Sequence, residues 1–157
     1  MAQSEINGMS ILDQIETVEA RPPTEGKTAG AAPGWIAFAA TSGAVSVIVG
    51  AFAAHGLDAE TQAKEIGWLH TGSQYESLHA LAMLAVVALA GAGRLGGRMA
   101  SVAQWLFMVG SILFPAALYG LAFHFPRWLG AVAPLGGSAF ILGWISLAAA
   151  AFTRPKP

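Results

Sequence analysis

The 157-residue chain contains no cysteine. Disulfides, thiol nucleophiles and Cys-ligated zinc or iron–sulfur centres are therefore excluded. Charge is also scarce: Asp, Glu, Lys and Arg make up 11 % of the residues, against about 25 % in an average soluble domain. So few charges do not cover the surface of a soluble protein of this size. The net charge of −1 offers no basic surface for nucleic acid. There is no Gly-x-Ser-x-Gly, no phosphate loop, no H-E-x-x-H and no C-x-x-C-H. No Ser/Lys or Asp/Asp pair falls inside an apolar run either. These gaps point away from an enzyme and assign no resident cofactor.

What the chain has is apolar sequence. Hydrophobic residues make up 55 %, much of them in four long runs poor in charge, which makes lipid the solvent. The pattern predicts an all-α fold, an integral-membrane four-helix bundle with a short interfacial helix in the first loop. Trp35–Ala54 is charge-free; its 20 residues span about 30 Å, the thickness of the hydrocarbon core. Ser46, Gly50 and Ala54 form a small-xxx-small face for close helix approach. His55–Ser77 reads as the longest connection, with Asp58 as a cap, Glu60 and Lys64 as an i,i+4 pair, and Ala63 and Ile66 on the membrane surface. The second span is placed from about Gln74 to Ala92. Gly93–Met99 makes a tight turn, and the third span lies within Met99–Pro126. Pro115 inside it predicts a kink rather than a break, because neighbouring groups in a bundle satisfy the freed carbonyl. The fourth span runs from about Ala131 to Phe152. Gly136, Gly137 and Gly143 read as close-packing points, and Trp144 brings an N–H that needs a partner.

The chain divides into residues 1–34, 35–153 and 154–157. The first segment is acidic, and Ile11, Ile15 and Val18 recur at helical spacing before a Gly/Ala/Pro/Thr linker. It lacks the basic start and apolar core of a signal peptide and is too acidic for a mitochondrial presequence. Two readings stand: a solvated tail, or a docking helix whose Ile11, Ile15 and Val18 meet a protein partner. Anionic lipid would repel such a helix. With four spans, the two termini and the second loop share a side. That side holds six Lys/Arg (Arg21, Lys27, Arg94, Arg98, Arg154, Lys156) against two on the other (Lys64, Arg127), which predicts cytoplasmic termini.

All four histidines then fall toward the outer side. His55, Tyr75, Glu76 and His79 form a candidate polar or metal cluster, since imidazole and carboxylate together bind divalent transition metals and paired histidines bind haem. No metal-binding spacing supports it, so no metal is assigned. Histidines that simply bond loop carbonyls are the plain alternative. His79 stands out because ionisable groups inside a span face a partner or a cavity. It either bonds the end of span one near His55, locking two helices together, or belongs to a proton path. No charged residue follows it within any span, which argues against a relay.

Three segments carry a resemblance. Gly50-Ala-Phe-Ala-Ala-His-Gly-Leu57 resembles a GAFGAHGL signature. Gln74-Tyr-Glu-Ser-Leu-His-Ala-Leu81 resembles QYQ-x-x-HAL, and Ala133–Trp144 resembles TPiGGlaFilGW. Together they resemble domain of unknown function 423, the YgdD/YwdK type of small membrane protein, over about Trp35–Phe152. The resemblance implies a four-helix inner-membrane protein and brings no activity, substrate or cofactor. The chain departs from the family pattern at Phe114–Tyr119, where an FSGSLY stretch is common, and in its acidic N-terminal extension.

The leading expectation is a non-catalytic accessory, assembly or structural subunit of a larger membrane complex in a bacterial inner membrane, with lipid around it and no nucleic acid partner. The alternative is a small transporter or metal/ion-binding protein that uses the outer histidines.

Overall fold

The computed structural model describes residues 32–153. Expectations for Ile11, Ile15, Val18 and the tail 154–157 lie outside the described residues. Helix α1 is Ala32–His55, α2 is Ala63–Gly91, α3 is Gly97–Ala122 and α4 is Val132–Phe152. A five-residue 3-10 turn, Arg127–Ala131, leads into α4. All four α-helices belong to segments long and apolar enough to cross a membrane. This follows from the solvent: in hydrocarbon each backbone N–H and C=O must bond within the protein, and a helix satisfies this inside a single segment.

The helices pack in sequence order. α2 and α3 form the central pair, α1 lies against α2 and α4 against α3. The main core gathers Met83 of α2, Phe107 of α3 and Phe140 of α4, with Ala39 of α1. α3 and α4 approach closely because glycine meets aromatic ring in both directions. A Cβ on Gly110 would lie 2.5 Å from the Phe140 ring, and one on Gly143 would lie 2.6 Å from Phe107. Gly136 sits against the backbone of Phe114, where a Cβ would come within 2.5 Å of its nitrogen. Gly137 makes only ordinary contact, 3.9 Å from the Phe114 ring.

Three features bear on the sequence reading, two of them as corrections. First, α2 begins at Ala63 rather than near Gln74, so the helical turn expected in the first loop is the N-terminal part of α2. Its charged side chains find one partner within the helix and one at the end of α3. The Lys64 ammonium lies 4.7 Å above the Trp68 ring instead of pairing with Glu60, and Glu65 Oε1 is 3.5 Å from His124 Nε2. Asp58 caps a turn, not a helix: its carboxylate accepts the Glu60 N–H at 2.8 Å. Second, α3 runs unbroken through Pro115, in keeping with the reading that this proline does not break the span. Third, Ala54 is exposed and Ala53 takes the buried place. At 100° per residue, two steps of four carry a side chain about 80° off the face, whereas seven residues bring it back within about 20°. The packed face of α1 is accordingly Ala39, Ser42, Ser46 and Ala53, with Gly50 against Ser73.

α2 and α3 end in the same way. Arg94 N–H bonds the Leu89 carbonyl and Gly93 N–H bonds that of Ala90; Phe125 bonds Gly120 and His124 bonds Leu121. Both are Schellman caps, which place one residue in the left-handed region. Gly93 fills that place after α2 with φ 68°, and His124 fills it after α3 with φ 61°.

Candidate functional site

Two polar side chains lie one turn apart on the buried face of α2. Glu76 is 5 % exposed and His79 is 2 % exposed. Both fall in the repeat Leu69, Gly72, Glu76, His79 and Met83 that faces the other helices. Glu76 sits near the middle of α2 rather than in its first turn, because the helix begins at Ala63 and not near Gln74.

Each oxygen of Glu76 accepts a hydrogen bond from a different helix. Ser42 of α1 donates its hydroxyl to Oε1 at 3.1 Å. Tyr119 of α3 donates its phenol O–H to Oε2 at 2.7 Å. Tyr119 reaches this point by lying along Gly72, where a Cβ would fall 2.5 Å from its ring. The carboxyl thus joins three helices at one point.

His79 joins the fourth. Its Nδ1 is 2.7 Å from the Tyr75 carbonyl, and the indole N–H of Trp144 in α4 points at Nε2 across 3.2 Å. A carbonyl only accepts and an indole N–H only donates. The network therefore assigns the proton to Nδ1 and leaves Nε2 bare. Phe140 stacks on the imidazole with ring centroids 3.5 Å apart, and Phe107 and Trp144 close the sides.

Of the candidate polar cluster, Tyr75, Glu76 and His79 are neighbours on α2, and His55 lies at the end of α1. Glu76 and His79 are buried, Tyr75 is 44 % exposed and His55 is exposed at the end of α1. Tyr75 packs its ring on Phe114, centroids 4.9 Å apart, and beside His79 at 6.1 Å. Among the described residues no three of His, Asp and Glu converge as metal ligands do. His79 does lock helices, but its partner is Trp144 of α4 rather than the end of span one near His55. Of the packing residues, Ser46 is buried and donates to the Gly43 carbonyl at 2.7 Å.

Sequence reasoning passed over Ser42 and Tyr119 as partners of Glu76. It also passed over Gln104, a buried amide on α3 whose oxygen and nitrogen have no partner among the described residues. A usable signal existed for Glu76, because it shares a helical face with His79 and Met83.

The comparisons agree with this architecture. A family model described as "Protein of unknown function (DUF423)" matches residues 49–137. A UPF0382 membrane protein of Haemophilus influenzae is 40 % identical over 75 % of this chain and 93 % of its own length. The UPF0382 membrane protein YwdK of Bacillus subtilis is 40 % identical over 74 % of this chain and 94 % of its own. The UPF0382 inner membrane protein YgdD of Escherichia coli K12 is 37 % identical over 68 % of this chain and 80 % of its own. No solved structure matches. Four apolar helices and these relatives lead to one conclusion: the chain is a multi-pass membrane protein belonging to the DUF423 family.

Proposed function

We propose that the protein is a non-catalytic helical scaffold of the bacterial inner membrane, an accessory subunit attached to a larger membrane complex. One observation carries the reading. Both oxygens of Glu76 and both ring nitrogens of His79 are occupied by hydrogen bonds that fix the helices to one another or to α2 itself. Side chains spent in this way hold a shape. A carrier needs an ionisable group that exchanges its partner.

The carrier reading based on outer histidines has less behind it. His55 and His70 are exposed and apart from the buried pair, and His124 turns toward Glu65. The inner-membrane location draws on the name of the Escherichia coli relative. Cytoplasmic termini draw on the six-to-two bias in Lys and Arg. Apolar side chains of α1 and α4, such as Val47, Ile48, Ile141 and Ile145, face outward and suit lipid or a neighbouring subunit.

The test is purification of the tagged full chain in mild detergent beside a variant lacking residues 1–30. A partner held by the full chain and lost from the variant supports the reading. A protein that runs alone in both forms contradicts it. A C-terminal reporter active only outside the cytoplasm would overturn the orientation.

A further inference from the structure

At the end of the bundle that holds the α2–α3 turn, a cavity of about 520 Å³ opens between α1, α2 and α3. Val86, Val87 and Ala90 of α2 make its floor, and Trp35 of α1 and Trp105 of α3 stand at its sides. The two indoles meet edge to face, with centroids 4.9 Å apart and planes at 85°. Trp105 remains largely exposed, so the cavity communicates with the surface there. None of its lining residues carries a charge.

Two polar side chains interrupt this apolar lining, the exposed Ser101 and the buried Gln104. Gln104 is 4 % exposed, and neither its Oε1 nor its Nε2 has a partner among the described residues. A buried amide without a partner is costly, and such groups in native structures call for an explanation. The Glu76 and His79 sites have every polar atom matched; among the described residues the Ser111 hydroxyl is also buried without a partner, but of the two only the Gln104 amide lines this cavity of ligand size.

We infer that this cavity binds an uncharged, lipid-soluble molecule whose hydroxyl or carbonyl head bonds the Gln104 carboxamide. The amide carries a donor and an acceptor side by side; both atoms are covered in this structure, so the Gln104 side chain turns toward the cavity to serve a carbonyl through Nε2 or a hydroxyl through Oε1. The apolar floor and the two indoles take the body of the ligand, and the absence of charge in the lining favours a neutral head over a phosphate or carboxylate. Two membrane-soluble sources share this chemistry: a quinone or quinol ring, and the glycerol head of a neutral diacylglycerol. The inference stands independently of the scaffold reading.

The experiment is indole fluorescence of the full chain in detergent micelles, titrated with a decyl-substituted benzoquinone and, separately, with a dibrominated short-chain diacylglycerol, both of which quench tryptophan. Saturable quenching by either probe, weakened at least tenfold in Gln104→Leu, is the expected result, and the probe that saturates identifies the source. Ser101→Trp, which crowds the mouth from an exposed position, should weaken the same probe and serves if Gln104→Leu does not fold. Quenching that never saturates, or that is equal in the full chain and the variants, overturns the proposal. So does saturation that appears only after residues 1–31 are deleted, which would assign the cavity to the chain's own N-terminal segment.

Discussion

Trp144 donates its indole N–H to His79 Nε2 across 3.2 Å, tying α4 to α2 at a point inside the membrane. The bond is directional because the other ring nitrogen is committed to the Tyr75 carbonyl. Trp144→Phe keeps a six-membered aromatic ring and removes the N–H with the rest of the five-membered ring; because Trp144 is half-exposed, the lost hydrogen bond is the main effect. The substitution should lower stability by about 1 kcal/mol, the usual scale for an interhelical hydrogen bond in a membrane bundle. His79→Ala should cost more, about 3 kcal/mol, because it also empties the space against Phe140 and Phe107. In that background Trp144→Phe should add little. Unfolding of the four proteins of this cycle in mixed micelles measures the coupling.

The glycines of α4 make a second, contrasting prediction. Gly136→Ala would bring a Cβ to 2.5 Å from the nitrogen and 2.8 Å from the Cα of Phe114. Backbone cannot swing away as a side chain can, so α3 and α4 must separate, at about 2 kcal/mol. Gly137→Ala meets nothing nearer than 3.9 Å and should be neutral or slightly stabilising, since alanine is the better helix former. Thermal melts of the two purified variants compare them directly.

His124 predicts a gain. Its φ of 61° is comfortable for glycine and costly for other residues. Its contact with Glu65 is a long one, 3.5 Å, made by a mostly exposed imidazole, and such pairs contribute little. His124→Gly should therefore raise stability by about 1 kcal/mol. A lowered melting temperature would mean that the Glu65 contact outweighs the backbone strain.

The four helices and their order were legible in the sequence because apolar runs poor in charge have only one stable form in lipid. The start of α2 was not. Its first turns carry Lys64 and Glu65, whose partners Trp68 and His124 come from helix geometry and from the end of α3. Trp144 was recognised as having an N–H in need of a partner, and His79 as an imidazole in need of one. They are 65 residues apart, and no local pattern pairs them. Glu76 hid for the same reason, with donors 34 and 43 residues away. The shift from Ala54 to Ala53 is of another kind: it follows from helix periodicity and was readable by carrying the 100° step further.

The most direct test of whether the intramembrane polar groups hold the bundle together is the unfolding of Glu76→Gln beside Glu76→Leu in mixed micelles. The Ser42 and Tyr119 hydroxyls accept as well as donate, so glutamine can keep both interhelical bonds with one of them reversed. Glu76→Gln should stay within about 1 kcal/mol of the parent, and Glu76→Leu should fall by about 1–2 kcal/mol as two hydroxyls from different helices lose their acceptor. A Glu76→Leu protein as stable as the parent would contradict the scaffold account, because the carboxyl would then hold nothing together.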